Sequence, residues 1–199
     1  MGIAERKLRQ KETIRAGILA SAWQIVQSEG WQSLSIRKIA DSIEYSVPVV
    51  YNHFESKDAI LMEFIRQGFN ILSTQLQEAK TATSHPPEQL KAIAGAYWQF
   101  ALSHKPHYEV MFGLGIPGCE AVKQMEEMKK VSEAMLSAIE KTISAGNSPQ
   151  ADPYLKLHTY WSILHGFVSI QMFSGYQPMV PRKLILEDAV ESFIKGIMA

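Results

Sequence analysis

The 199-residue sequence predicts an all-α protein, and three observations carry that expectation. Apolar residues recur at helical spacing along most of the chain, as in Ile14, Ile18, Leu19, Ala22, Trp23, Ile25 and Val26, and again in Ile60, Leu61, Phe64, Ile65, Ile71, Leu72 and Leu76. No stretch alternates apolar and polar residues as a half-buried strand does. Helix-starting and helix-stopping residues, among them Gly30, Ser35, Ser46, Ser56 and Pro86-Pro87, stand between the periodic segments.

Residues 1–10 read as a charged arm that frays, either reaching the minor groove or backbone of a nucleic acid or serving only as a solubilising tail. The first helix follows, stopped by Gly30, and braces two shorter helices that could not bury enough surface alone. Ser35 caps the second helix, whose stripe is Ile36, Ile39, Ala40 and Ile43. After a break at Glu44-Tyr45, Ser46 caps a third, with Pro48 in its first turn, where the missing amide would have had no intrahelical partner anyway. Val50 and Phe54 face inward, and Val47, Pro48, Val49, Asn52 and His53 face mostly outward. This is a helix-turn-helix whose short third helix has the form that enters a major groove. Arg37 and Lys38 oppose the macrodipole at the start of the second helix, and an approaching phosphate would supply the reason for them.

Ser56 caps a fourth helix that runs to about residue 80, a mechanical link from the first domain into the second. Pro86-Pro87 opens a helix through Leu102, Pro106 punctuates it, and a short helix lies over residues 108–112. The loop at 113–118 matches G-x-G-x-x-G, but no strand precedes it, so a plain helix-to-helix turn is expected rather than a dinucleotide site. Helices over about 118–145, 154–173 and 183–197 complete the chain. The expected division is a DNA-binding domain at 1–56, arm included, and a helical ligand-binding and dimerisation domain at 57–199.

The run Ile39-Ala40, Ser46, Val50-Tyr51-Asn52-His53-Phe54 and Ser56-Lys57-Asp58 with Ile60-Leu61 resembles the DNA-binding domain of the TetR family of bacterial transcriptional repressors. The resemblance implies that Val50 and Phe54 are core, that Tyr51 and Lys57 touch phosphates, and that Val47, Pro48, Val49 and Asn52 face base edges. Many members have Gly at Glu44, so the turn is expected to carry left-handed strain of about 1 kcal/mol. Many also have Gly-Thr at Pro48-Val49, which shifts the expected readout toward apolar contact with thymine methyls. Arg37, Lys38, Ser46 and His53 complete the candidate DNA-binding set.

Charge and composition agree with this reading. The chain has 20 basic and 20 acidic residues, so no global field favours nucleic acid. The first 40 residues are nevertheless locally basic: Arg6, Lys7, Arg9, Lys11, Arg15, Arg37 and Lys38 outnumber Glu5, Glu12 and Glu29. The single cysteine, Cys119, excludes an internal disulfide and suits a reducing compartment. Residues 1–10 do not resemble a secretion signal and no apolar run is long enough to span a bilayer, so a cytoplasmic location is expected.

Trp161-Ser162-Ile163-Leu164-His165-Gly166 resembles the Trp-x-x-x-His-Gly signature of one TetR subgroup. Trp161 and His165 share a helix face, as a ligand contact or as core. Gly166 costs about 1 kcal/mol mid-helix, which calls for close approach by a ligand, a neighbouring helix or a partner subunit. Methionines and aromatic residues, Trp98, Tyr108, Met111, Phe112, Met125 and Met128 with Trp161 and His165, are candidates to line a pocket for a small hydrophobic or aromatic ligand, although such stripes are as often core. No metal or other cofactor is expected. His104 with His107 and His158 with His165 lack third and fourth ligands, and near Cys119 only Lys123 would depress a thiol pKa.

The resulting expectation is a homodimeric regulator, a repressor released by its effector. It would read a near-palindromic DNA operator through two copies of the third helix held about 34–36 Å apart. Gly166, Ser169, Phe173, Phe193 and Ile197 are its candidate dimer residues, and the resemblance implies a four-helix interface built from the last two helices of each subunit. The rival expectation is a helical enzyme or ligand carrier whose N-terminal helices merely pack.

Overall fold

A computed structural model of the chain describes residues 2–113, 122, 125–147, 150–172 and 177–199. Among the described residues the elements are α1 (Ile3–Glu29), a 3-10 turn (Trp31–Ser33), α2 (Ile36–Ser42), α3 (Val47–Tyr51), α4 (Lys57–Thr81), α5 (Pro86–Ser103), α6 (Lys105–Phe112), α7 (Glu126–Ala145), α8 (Pro153–Met172) and α9 (Arg182–Met198), with no strand. Most of the G-x-G-x-x-G loop, Cys119 and Phe173 lie outside the described residues. No helix among the described residues is long and apolar enough to cross a membrane.

The chain forms two compact units. One comprises Met1–Ile65 with Pro106–Cys119, the other Arg66–Lys105 with Glu120–Ala199. The sequence places a division after residue 56, at the start of α4, whereas the compact first unit takes in the first turns of that helix and also α6. Aromatic packing explains why α6 belongs there. Trp31 donates its indole N–H to the Pro106 carbonyl at 2.7 Å, and Trp23 lies 4.3 Å from His107 and 5.4 Å from Phe64, ring centre to ring centre.

Local chemistry sets the helix ends. Gly30 stops α1 with φ 81, its N–H bonded to the Val26 carbonyl at 2.9 Å. Ser35 caps α2 by accepting from the Lys38 amide at 3.2 Å, and Ser56 caps α4 by accepting from Ala59 at 3.1 Å. The expected N-terminal arm is instead helical from Ile3. Its residues are good helix formers, and Arg9 and Glu5 form an i,i+4 ion pair at 2.9 Å.

In the second unit α5 packs on α7, α8 and α9, and those three pack on one another. Tyr97, Phe100, Tyr160, Leu90, Ile139 and Ile197 are fully buried among them, and the Tyr160 hydroxyl donates to the Leu90 carbonyl. The end of α9 lies tightly against the residue that follows α7. A Cβ on Gly146 would stand 2.6 Å from the Met198 Cα, and the Asn147 N–H reaches the Met198 carbonyl at 2.9 Å. Only a residue without a side chain fits there.

Candidate functional site

The helix-turn-helix is built from the inside out. Val50 of α3 is fully buried and Phe54 nearly so. Arg15 of α1 stands 4.9 Å over the Phe54 ring and pairs with Glu63 of α4 at 2.8 Å, so one side chain of α1 holds both the turn that follows α3 and the start of α4. Ile39 and Ala40 of α2 complete this core, and Ile43 is half-buried at the C-cap.

The turn between α2 and α3 is a Schellman motif. The Tyr45 N–H bonds to the Ala40 carbonyl at 3.0 Å and the Glu44 N–H to the Asp41 carbonyl at 3.3 Å, closing the loop around Glu44. Glu44 has φ 57, the one non-glycine with positive φ among the described residues. The left-handed strain expected from its departure from the family pattern is therefore present. Tyr45, 46% exposed directly before α3, is a candidate DNA contact that sequence reasoning passed over. A large aromatic residue next to the predicted N-cap was the available signal.

At the start of α3 the chemistry differs from expectation. Ser46 precedes the helix, but its hydroxyl makes no cap bond. The reason is Pro48: it occupies the second helical position and has no N–H, while the Val49 N–H bonds to the Ser46 carbonyl at 2.9 Å. No amide is left for the hydroxyl to accept from, and it stays exposed.

The outer face carries the predicted residues together. Pro48, Tyr51 and Asn52 are exposed, with Tyr51 half so, and Val47, Val49, His53 and Lys57 are partly exposed. Arg37, at the second position of α2, is exposed and makes no ion pair among the described residues. Lys38 has one: its ammonium lies 2.6 Å from Glu29, the last residue of α1, and both side chains are 47% exposed. Each charge opposes its own helix dipole, so the pair gives Lys38 a reason to be there without DNA. Burial, then the nearby charges of Lys11 and Arg15, hold the His53 pKa below the usual histidine value.

The proposed pocket residues divide between the units. Tyr108 and Met111 are buried in the first, with Phe112 4.7 Å from Tyr108. Trp98, Met125, Met128, Trp161 and His165 are in the second. Trp98 lines a cavity of about 720 Å³ between α5 and α9 with Gly95, Leu186 and Val190, and none of the other seven residues lines it. Trp161 donates to the Tyr97 hydroxyl at 3.2 Å, and burial lowers the pKa of His165, whose Nε2 lies 3.4 Å from the Ser169 hydroxyl. No three His, Cys, Asp or Glu side chains among the described residues are grouped to hold a metal.

Of the proposed dimer residues, Phe193 and Ile197 are buried within the chain's own second unit, Phe193 against Tyr160 with ring centres 5.1 Å apart. Both sit on the inner stripe of α9. Gly166 and Ser169 lie on the outer side of α8, where a Cβ on Gly166 would meet nothing within 4 Å. At helical spacing Leu155, Thr159, Ser162 and Ile170 share that face, and Leu155 and Ile170 are 60% and 46% exposed.

Comparison with known proteins joins both units to one family. Residues 18–64 match the model for bacterial regulatory proteins of the tetR family, and residues 90–193 match the tetracyclin repressor-like C-terminal domain. The HTH-type transcriptional activator FasR of Mycolicibacterium smegmatis is 24% identical over 91% of this chain and 80% of its own. A solved protein of unknown function from Rhodococcus sp. RHA1 has the same fold, with TM-score 0.76 and 24% identity over 93% of this chain and 95% of that one. The structure of AibR in complex with isovaleryl coenzyme A and operator DNA aligns with TM-score 0.66 at 15% identity, covering 89% and 96%.

Proposed function

The chain belongs to the TetR family of bacterial regulatory proteins, and we propose that it is a homodimeric, effector-released repressor reading DNA through the outer face of α3. By family it is a DNA-binding transcriptional regulator. The reader is residues 1–56 and the effector and dimer part is residues 57–199, in the cytoplasm. The Trp161, His165 and Gly166 pattern supports membership of the Trp-x-x-x-His-Gly subgroup.

The observation that carries the DNA reading is the exposed set Ser46, Pro48, Tyr51 and Asn52 on a helix whose inner side is held by Val50, Phe54 and Arg15. Side chains on a rigid element reach base edges, and flanking cations position the helix on phosphates. Fluorescence anisotropy on the chain's own upstream DNA tests this. Lys57→Ala should weaken operator and random DNA alike and reduce the salt slope by about one, whereas Asn52→Ala should change sequence preference. Unaltered preference together with unaltered affinity would remove α3 from the groove.

Dimerisation is supported by the outer face of α8. Gly166 costs about 1 kcal/mol against Ala in a helix interior, and among the described residues nothing beyond its own helix backbone lies within 4 Å of where a Cβ would stand. A partner copy of α8 crossing at Ser162 and Gly166, with Leu155 and Ile170 of each chain around the crossing, uses that space, in an isologous contact. Sedimentation of Gly166→Leu should show monomers that keep their helical signal and lose operator binding; a stable dimer would move the interface elsewhere.

For the effector, AibR supplies an example of a relative in fold that holds an acyl thioester of coenzyme A together with operator DNA. Here the aromatic and methionine content of the second unit favours an apolar ligand. Such a ligand should quench Trp98 or Trp161 fluorescence and release DNA over one concentration range, because the two equilibria are linked.

A further inference from the structure

Within the second unit, the later turns of α4 and the first half of α7 line a cavity of about 580 Å³ that no role described so far uses. Its lining differs in kind from the aromatic residues proposed for the effector. Asn70, Ser73, Thr74, Gln77, Glu78 and Lys80 come from α4, and Lys130, Glu133, Ala134 and Ser137 from α7. No aromatic ring and no aliphatic side chain larger than alanine lines it, so a flat aromatic ligand finds nothing to stack on.

The hydrogen-bonding inventory is specific. Ser73 and Thr74 donate their hydroxyl protons to the Asn70 carbonyl at 2.9 Å, and Ser137 donates to Ala134 at 3.2 Å, which leaves oxygen lone pairs free to accept. The side-chain amides of Asn70 and Gln77 and the carboxylates of Glu78 and Glu133 make no hydrogen bond or ion pair among the described residues. Many acceptors and two amides, spaced along an open groove whose Asn70, Gln77, Glu78 and Glu133 are exposed, suit a ligand rich in hydroxyl groups.

One end is cationic. The Lys80 ammonium is half-buried and has one partner, the Ser137 hydroxyl at 2.9 Å, with no carboxylate within 4 Å among the described residues. Burial, and after it the charge of Lys141, lower its pKa. A partly desolvated ammonium held beside a second cation and given one neutral partner is incomplete, and an anionic group would complete it. Lys130 on the facing helix adds a second positive charge to the lining, while Glu78 and Glu133 balance the total and disfavour a multiply charged anion.

We propose that this groove binds a polyhydroxylated small molecule with one anionic end, a sugar acid or sugar phosphate, seated with its anion on Lys80 and its hydroxyls along Asn70, Gln77 and Glu133. The site is separate from the apolar effector reading and stands or falls without DNA.

Isothermal titration of the full chain with gluconate, glucose 6-phosphate, glucose and inorganic phosphate tests it, with the Lys80 Nζ resonance followed by NMR. Saturable binding of gluconate or glucose 6-phosphate is expected, and which of them binds identifies the carboxylate or the phosphate as the natural anion. The Lys80 pKa should rise on binding. Lys80→Met, which keeps the aliphatic stem, should weaken binding about tenfold or more while circular dichroism and operator affinity stay unchanged. Absence of binding by both probes up to about 10 mM, well weaker than metabolite-range affinities, would overturn the proposal. So would equal binding of glucose, equal binding of inorganic phosphate, or binding indifferent to Lys80→Met.

Discussion

Glu44→Gly should make the helix-turn-helix more stable, and the amount follows from the geometry of the turn. Glu44 occupies the left-handed position of a Schellman motif with φ 57, fixed by the Tyr45–Ala40 and Glu44–Asp41 bonds on either side of it. A residue with a Cβ pays roughly 1–2 kcal/mol for that conformation. Glycine relieves it but brings back about 0.4–1 kcal/mol of unfolded-state freedom. The balance is a gain of roughly 0–1.6 kcal/mol, about 0.8 kcal/mol at the middle of both ranges. Glu44 is exposed and makes no ion pair among the described residues, so no contact is lost with the side chain. Glu44→Ala is the control, since it removes the same charge and keeps the strain. Urea denaturation followed by Trp23 and Trp31 fluorescence, both reporters lying in the first unit, measures the difference at constant m. A glycine variant no more stable than the alanine variant would refute the reasoning, because strain is the only term separating them in the native turn.

Gly146→Ala should destabilise the second unit by about 1–3 kcal/mol or more, because the new Cβ would meet the Met198 backbone, at 2.6 Å from its Cα and 2.9 Å from its oxygen, with no flexible side chain to yield; thermal unfolding measures it, and an unchanged midpoint would mean that α9 ends elsewhere in solution. Glu29→Gln should release Lys38 from its 2.6 Å partner and strengthen binding to operator and random DNA alike, steepening the salt dependence by about one unit. Unchanged affinity would leave Lys38 outside the phosphate contacts.

The helices themselves were legible in the sequence because their determinants are local. Apolar spacing, Ser35 and Ser56 as caps, and Gly30 as a stop act through neighbours within a turn or two, and α2, α3, α4 and α5 lie close to where those signals put them. The outward face of α3 was legible for the same reason: with Val50 buried in so short a helix and Phe54 buried just after it, the other side chains are left outward. Ser46 marks the limit of local reasoning, since its capping role depended on which amides Pro48 left available.

What the tertiary structure decided concerns which long-range surfaces meet. Nothing near Trp31 in sequence points to Pro106, 75 residues away, yet that hydrogen bond and the ring of Trp23 on His107 assign α6 to the first unit. Lys38 looked free until α1 delivered Glu29 to it. Phe193 and Ile197 carry the same apolar signal whether they face a partner or their own core, and only the packing of α9 on α5 and α8 turned them inward, leaving Gly166, Leu155 and Ile170 outside. Periodicity identifies a face that must be buried. It does not contain the identity of what buries it, because that depends on the sum of all the other faces the fold brings within reach.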